Sequence, residues 1–177
     1  YFDIEDPSLM VNQAVSEQYE PGSVMKILTV ASAIDMGIKS PGDTYLDNGS
    51  LEIGGITVQN WDRQAHGVVD MTQILVQSLN VGAATVSRDM GPKNFYDMFG
   101  RFGMGRPTGI DLEGEAAGTM YVPGDSDWSE SQLGTVAFGQ GIATTPLQML
   151  VSINAIANEG RMMQPHVVHQ IIDGDRV

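Results

Sequence analysis

The chain has 177 residues, of which 42% are hydrophobic and 18% are charged, a composition typical of one globular domain rather than of a disordered chain. Its formal net charge of −13 repels nucleic acids and anionic membrane surfaces, so we expect neither as a partner. The chain has no cysteine, which excludes disulfide bonds and cysteine-ligated metal sites.

The first clear helical pattern runs from Gly22 to Met36. Its apolar residues recur at spacings of three and four, which is typical of a helix. They are Val24, Ile27, Leu28, Ala31 and Ile34. Pro21 favours the start of this helix, and Gly37 favours a left-handed stop at its end.

Tight hairpin turns are predicted in the next segment, residues 44–62. Its sequence, TYLDNGSLEIGGITVQNWD, places Asn48-Gly49 and Gly54-Gly55 between short alternating runs. Such dipeptides favour two-residue turns between antiparallel strands. We therefore expect a hairpin turn at each of the two positions.

A second helical segment is predicted to begin at Asp70. The polar sequence Ser-Leu-Asn interrupts it at residues 78–80, and a helical pattern then continues to a stop at Gly91-Pro92. A short aromatic helix should follow over residues 93–102.

The strongest late helix begins at Thr145 or Pro146 and ends near Glu159. Proline at the first helical position after a threonine cap is a good start signal. Residues 103–144 are rich in glycine and turn residues, and residues 166–173 look like a strand. Together these elements predict an α+β fold that is mostly helical, with one or two small hairpins and no large central sheet.

Ser23 and Lys26 lie three residues apart at the start of the first helix. Residues at this spacing share a helix face, so the lysine amine can reach the serine oxygen. A neutral lysine can activate a serine as a nucleophile, and the helix N-terminus favours the resulting negative charge. On spacing alone, however, an ordinary helix cap with a lysine on its exposed face is the more common explanation.

A second hydroxyl and an amide, as in Ser-x-Asn, would complete such a site. The pattern occurs twice, at Ser78-Leu79-Asn80 and at Ser152-Ile153-Asn154. Ser152 falls inside an apolar helix, where a packed small residue is the better interpretation. Ser78 falls where a helix is interrupted, so its side chain can point into a cleft.

Four stretches of the chain together resemble the transpeptidase domain of class B penicillin-binding proteins. In order they are YEPGSVMK, NWDRQAHGVVDMTQILVQSLNVGAA, FGRFGMGRPTGIDLEGEAAG and FGQGIATTPLQMLVSINAIANEGRMMQP. Their order and spacing match the family over nearly the whole chain, and S-x-x-K is one of its motifs. The resemblance implies a single partial transpeptidase domain over residues 1–177 and leans towards the septal, cell-division branch.

The resemblance also implies roles for four residues. Ser23 would be the acylated nucleophile, and Lys26 would be its base. Ser78 would relay a proton between Lys26 and the leaving amine. Asn80 would hold Lys26 in place and bind the substrate's amide.

One motif of the family, a basic residue followed by Thr-Gly on a strand, is missing from the chain. The nearest match, Arg106-Pro107-Thr108-Gly109, falls where the family has a structural loop. In the family the motif lies just beyond Val177, and the first sheet strands lie before Tyr1. We therefore expect a partial serine transpeptidase or β-lactamase-like domain that lacks most of its central sheet, is impaired alone, and pairs with another chain to supply the missing strands.

Other polar residues are expected to have no catalytic role. His166 and His169 would face opposite sides of a strand, so joint metal ligation is not expected. Glu130 resembles a residue of the glutamate loop of class A β-lactamases, but its flanking sequence favours a plain loop carboxylate. The turn Gly139-Gln140-Gly141 is expected to shape the backbone.

Three functions follow as hypotheses. The first is a fragment of a serine D,D-transpeptidase that cross-links peptidoglycan stem peptides through an acyl-enzyme and is acylated by β-lactams. The second is a non-catalytic interaction or scaffold fragment. The third is a β-lactam sensor or hydrolase that uses the same Ser-Lys pair.

The resemblance implies particular partners and a location. Peptidoglycan stem peptides, β-lactam antibiotics and the cell-wall synthesis machinery would be the partners, with no cofactor and no metal. The protein would lie on the extracytoplasmic face of the bacterial cell membrane, with an anchor upstream of Tyr1.

Overall fold

Helices dominate residues 10–172, the part of the chain that the computed structural model describes. They are α1 (Gln13–Ser16), α2 (Met25–Asp35), α3 (Met71–Val76), α4 (Asn80–Arg101), α5 (Glu130–Thr135) and α6 (Pro146–Ala157). Short 3₁₀ turns precede α2 at Gly22–Val24 and follow α5 at Val136–Phe138. With two small pairs of strands, this confirms the predicted α+β, mostly helical class.

Helix α2 confirms the first predicted helix, but its apolar residues divide between two faces. Leu28 is fully buried in the core. Ile27 and Ile34 are 38% and 36% exposed, and Val24, in the 3₁₀ turn before α2, is 42% exposed. The spacing therefore predicts the helix correctly, while neighbouring elements decide which of its apolar faces is covered.

The four strands form two antiparallel pairs, one nested within the other along the chain. They are β1 (Thr44–Asp47), β2 (Ser50–Ile53), β3 (Ile56–Gln59) and β4 (Gly67–Asp70). Strand β2 pairs with β3, and β1 pairs with β4, both antiparallel. Gly54-Gly55 is the turn of the inner pair, as predicted.

The hairpin turn predicted at Asn48-Gly49 is wrong. Strand β1 pairs with β4 instead of β2, so residues 48 and 49 only connect the outer pair to the inner one. The Gly49 N–H donates to Asp47 Oδ1 at 2.7 Å. This local contact bends the chain without closing a hairpin.

Helices α3 and α4 meet at the predicted interruption. Asp70 and Gln73 form a reciprocal capping box that starts α3. Ser78 then has a φ angle of +54°, which ends the helical path before α4 begins. Gly91, with φ +74° and ψ +159°, breaks the helical backbone within α4 before Pro92, as the sequence predicts.

The start of α6 is also confirmed, because Thr145 and Gln148 form a second reciprocal capping box before Pro146. The strand predicted over residues 166–173 is wrong for residues 166–172, which form no strand; Asp173 lies outside the described residues. A strand needs a partner to satisfy its backbone groups. Here the N–H groups of Val167 and Val168 instead donate to the Asp111 carboxylate.

The core that supports these elements is centred on α4, which packs against both α2 and α5. Phe95 and Phe99 of α4 are fully buried in it, with ring centroids 4.2 Å apart. Thr29 of α2 donates its hydroxyl to the Ala137 carbonyl oxygen at 2.8 Å. These contacts hold α2 against the 3₁₀ turn that follows α5.

Candidate active site

The turn that carries Ser23 lies directly against a second segment, residues 139–144. The Gly22 N–H donates to the Gly139 carbonyl oxygen at 3.0 Å. A Cβ atom on Gly139 would lie 2.2 Å from the Gly22 carbonyl oxygen, and Gly139 has a φ angle of +80°. Glycine is therefore required here both by the close approach and by the backbone conformation.

Two further contacts fix the same segments together. Tyr19 and Thr144 exchange backbone hydrogen bonds of 2.9 and 3.0 Å. The Gly141 N–H donates to Glu20 Oε1 at 2.8 Å. The turn before α2 is thus anchored by a segment more than a hundred positions away in the chain.

The Lys26 amine lies between two serine hydroxyls. Its Nζ is 3.0 Å from Ser23 Oγ, 2.9 Å from Ser78 Oγ and 2.7 Å from the Ser78 carbonyl oxygen. The two hydroxyl oxygens are themselves 2.9 Å apart. The amine and the hydroxyls therefore form a closed triangle in which a proton can pass between neighbours over hydrogen-bond distances.

Burial gives Lys26 the properties of a base. The residue is only 1% exposed, and desolvation disfavours the charged amine, which lowers the pKa of Lys26 from 10.5 to about 8. Ser23 is exposed. The site thus combines an accessible hydroxyl with a shielded amine whose neutral form is populated near neutral pH.

Ser78 reaches the triangle because of its unusual backbone. Its φ angle of +54° is uncommon for a residue with a side chain. At this junction between α3 and α4, both its carbonyl oxygen and its hydroxyl lie within hydrogen-bond distance of Lys26 Nζ. A serine in a continuous helix would use its carbonyl within the helix.

Asn80 lies two residues further on but does not share the lysine. Its Nδ2 donates to the Gln59 carbonyl oxygen at 3.0 Å, whereas Lys26 Nζ donates to oxygens of Ser23 and Ser78. The structure therefore brings three of the four predicted residues together. The predicted contact between Asn80 and Lys26 is not among the hydrogen bonds of the described residues.

Two candidates that the sequence set aside occupy structural positions. Ser152 is fully buried, and its hydroxyl donates to the carbonyl oxygens of Phe102 and Gln148 at 2.8 and 2.7 Å. Glu130 is an exposed residue in the first turn of α5, where the positive end of the helix dipole stabilises a carboxylate.

The Arg-Pro-Thr-Gly match belongs to a loop. The backbone N–H groups of Thr108 and Gly109 donate to the Glu115 carboxylate at 2.7 and 3.0 Å, which ties this loop together. Within residues 10–172, no three histidine, aspartate or glutamate side chains are grouped to hold a metal ion, and no helix has the length and apolarity to cross a membrane.

Sequence reasoning gave no role to residues 59–61, which form a further part of the site, although it placed Trp61 and Asp62 near the cleft. This segment lies beside the junction of α3 and α4, where the Gln59 carbonyl oxygen accepts the Asn80 amide. The distance of about twenty positions along the chain gives no periodic signal. Only the run Asn-Trp-Asp directly after β3 marks the segment as different from an ordinary strand end.

The chain belongs to the family described as penicillin binding protein transpeptidase domain, which it matches over residues 3–177. Among its relatives, penicillin-binding protein PbpB of Mycobacterium tuberculosis is 40% identical over 169 residues, which are 93% of this chain and 24% of that protein. Stage V sporulation protein D of Bacillus subtilis is 33% identical over 170 residues, covering 95% of this chain and 26% of that protein. The chain thus spans about a quarter of the length of these relatives.

A solved structure has the same fold over nearly all of the chain. Penicillin binding protein 3 of Mycobacterium tuberculosis, complexed with aztreonam, aligns with a TM-score of 0.84 and 38% identity. The alignment covers 94% of this chain and 37% of that one. The family resemblance drawn from the four sequence stretches is therefore confirmed, and the chain is a partial transpeptidase domain.

Proposed function

We propose that this chain supplies the nucleophile, the base and the proton relay of a serine D,D-transpeptidase that cross-links peptidoglycan stem peptides. The observation that supports this function best is the triangle of Ser23, Lys26 and Ser78, with sides of 3.0, 2.9 and 2.9 Å. The family to which the chain belongs is named for the same reaction. The whole of residues 1–177 would act as one partial domain.

The geometry accounts for the acylation step. Neutral Lys26 takes the proton from the Ser23 hydroxyl, and Ser23 Oγ bonds to the carbonyl carbon of the penultimate D-alanine. The tetrahedral intermediate then loses the terminal D-alanine as an amine. That amine receives the proton from Lys26 through the Ser78 hydroxyl, which leaves an acyl-enzyme on Ser23.

The second half of the reaction reverses these proton movements. An amine of a stem peptide on a neighbouring peptidoglycan strand attacks the acyl carbon. The proton of this amine passes back through Ser78 to Lys26, and the Ser23 oxygen leaves with a proton from Lys26. A β-lactam would acylate Ser23 by the same first step. Its leaving nitrogen stays attached to the acyl group. Asn80 would bind the substrate's amide in both cases, as the family resemblance implies.

An exposed apolar face formed by α2 and the 3₁₀ turn before it bears on the proposed partners. Val24, Ile27 and Ile34 are each more than a third exposed, and such a row favours association with another apolar surface. We propose that this face is covered by strands from another chain or segment. The proposed location is the extracytoplasmic face of the bacterial cell membrane, in the cell-wall synthesis machinery of the septal branch.

The decisive experiment is labelling of the full-length protein with a fluorescent penicillin, followed by mass spectrometry of its peptides. We expect one adduct, on Ser23, and none in the Ser23→Ala variant. Ser152→Ala is the matched serine control and should label normally per folded molecule. A folded protein that forms no adduct would contradict the proposal and favour a scaffold.

The same labelled protein separates a transpeptidase from a β-lactam hydrolase. In a transpeptidase the penicilloyl adduct should persist for many minutes, because no base activates water on it. Rapid loss of the label with release of penicilloic acid would favour the hydrolase instead. A synthetic peptide ending in D-Ala-D-Ala, incubated with a D-amino acid acceptor, should give the exchanged peptide by mass.

A further inference from the structure

Residues 59–61 form hydrogen bonds with the residues on both sides of Ser78. The indole Nε1–H of Trp61 donates to the carbonyl oxygen of Gln77 at 3.2 Å, directly before Ser78. The carbonyl oxygen of Gln59 accepts the Asn80 amide at 3.0 Å, two residues after Ser78. The first and last residues of this segment therefore hold opposite ends of the turn that presents Ser78.

The central residue of the segment, Asn60, makes the connection to the first turn of α4. Its Oδ1 accepts the N–H of Val81 at 3.1 Å. Its Nδ2 donates to Asp47 Oδ2 at 2.7 Å and to the Gln64 carbonyl oxygen at 3.1 Å. Asn60 is only 2% exposed, and its hydrogen bonds to Asp47 and Val81 are buried.

Asp47 determines which way the Asn60 amide faces. Asp47 is 1% exposed, and an ionised carboxylate can only accept hydrogen bonds. The NH₂ group of Asn60 must therefore face Asp47, which leaves Oδ1 to accept the N–H of Val81. If the amide were turned the other way, its NH₂ group would face the N–H of Val81. Its Oδ1 would then face the Asp47 carboxylate, so that two acceptors would oppose each other.

This arrangement matters because Ser78 is in an unfavourable conformation. Residues with a side chain occupy positive φ angles only where the surroundings impose them. The φ of +54° at Ser78 accompanies contacts of 2.7 and 2.9 Å from its carbonyl and hydroxyl oxygens to Lys26 Nζ. A small rotation of this turn would separate the proton relay from the base.

We propose that Asn60, oriented by buried Asp47, is a positioning residue that holds the Ser78 turn against Lys26. The inference rests on the proposed function, because its consequence is the rate of acylation of Ser23. Asn60 itself touches neither the nucleophile nor the base. Its effect passes through Val81 and the turn that begins α4.

The test compares acylation by benzylpenicillin in full-length variants. In the Asn60→Asp variant the carboxylate at position 60 would face that of Asp47. The resulting displacement of the Ser78 turn should lower the acylation rate constant by about 10- to 100-fold, as misplacement of a catalytic group does. The dissociation constant of the initial penicillin complex should change little. Asn94→Asp is the matched control, because Asn94 also donates its amide to a backbone carbonyl, that of Met90, on the far part of α4.

The exchanged pair Asp47→Asn/Asn60→Asp should restore most of the rate. Asn at position 47 can still accept the Gly49 N–H and donate to Asp at position 60, which can still accept the Val81 N–H. The hydrogen bond to the Gln64 carbonyl oxygen is lost, and a carboxylate oxygen then faces that carbonyl, so the recovery should be incomplete. A merely structural role would lower the fraction of titratable active sites and the melting temperature without changing the rate constant per active site.

The outcomes are distinct. An unchanged rate constant in Asn60→Asp, with wild-type protein that acylates, overturns the positioning role alone. If Asn60→Asp does not fold, Asp47→Asn replaces it, since the released amide can turn over, and an unchanged rate constant there overturns the role equally. Absence of any adduct in the wild-type protein overturns the proposed function and this inference together.

Discussion

The pattern Ser-x-Asn occurs twice in the chain, and its two serines have opposite environments. Ser78 lies between two helices, with its hydroxyl 2.9 Å from both Lys26 Nζ and Ser23 Oγ. Ser152 lies inside α6 and is fully buried, with its hydroxyl donating to the Gln148 carbonyl oxygen one turn earlier. In a helix interior the serine hydroxyl donates to a backbone carbonyl of the preceding turn, whereas at a helix junction the hydroxyl is free to contact other side chains.

The two asparagines differ in the same way. Asn80 is partly buried and connects α4 to the end of β3 through the Gln59 carbonyl oxygen. Asn154 is exposed on α6. A three-residue motif therefore has functional meaning only where the backbone that carries it turns its polar groups towards a partner.

The largest expected effect comes from removing each serine hydroxyl in turn. Ser78→Ala should lower the rate constant of penicillin acylation by about 10²- to 10⁴-fold, because it removes the proposed proton relay. Ser152→Ala should leave that rate constant unchanged and lower the free energy of unfolding by about 1–2 kcal/mol. Stopped-flow acylation and urea unfolding measure the two quantities. Equal acylation rates in both variants would break the comparison.

The segment that faces Ser23 provides a second contrast, between two glycines. Gly139 and Gly55 have φ angles of +80° and +81°, but only at Gly139 would a Cβ atom meet other atoms, those of the Gly22 backbone. Gly55→Ala should cost about 1–2 kcal/mol of unfolding free energy from its conformation alone. Gly139→Ala should cost more than that, at least about 2 kcal/mol, and should also slow acylation. Equal losses in urea unfolding would show that the close approach is unimportant.

The asparagines sharpen the comparison at a smaller scale. Asn80→Ala should lower the acylation rate constant by about 10-fold, because it releases the link between α4 and β3, worth about one hydrogen bond. Asn154→Ala should have no measurable effect on acylation, because its side chain is exposed on α6. A similar decrease in both variants would indicate a general loss of folded protein, which circular dichroism would detect.

The smallest expected effect is the pH dependence of acylation. Burial lowers the pKa of Lys26 to about 8, and the proposed base acts in its neutral form. The neutral fraction therefore rises with pH, from about a tenth at pH 7 to about half at pH 8, a gain of roughly fivefold. The acylation rate should rise across this interval and level off above about pH 9. A rate that is flat or falls from pH 7 to 9 would contradict a neutral lysine base.

Much of the helical framework could be predicted because its signals are local. The caps at Asp70 and Thr145 and the stop at Gly91 all arise from residues within one or two turns of the point they affect. The strand pairing could not be predicted in the same way. Asn48-Gly49 has the composition of a hairpin turn, but the pairing of β1 with β4 is decided by contacts beyond that turn.

The sequence alone shows the residue types of the candidate site. They are a serine and a lysine three positions apart, and a second serine two positions before an asparagine. Their proximity is a tertiary result, because it depends on Gly139 packing on the turn before α2 and on Gln59–Trp61 holding the Ser78 junction. The burial that lowers the Lys26 pKa likewise belongs to the folded core. Sequence spacing determines which groups share a helix face, whereas only the packing of distant segments determines which groups meet and how much water surrounds them.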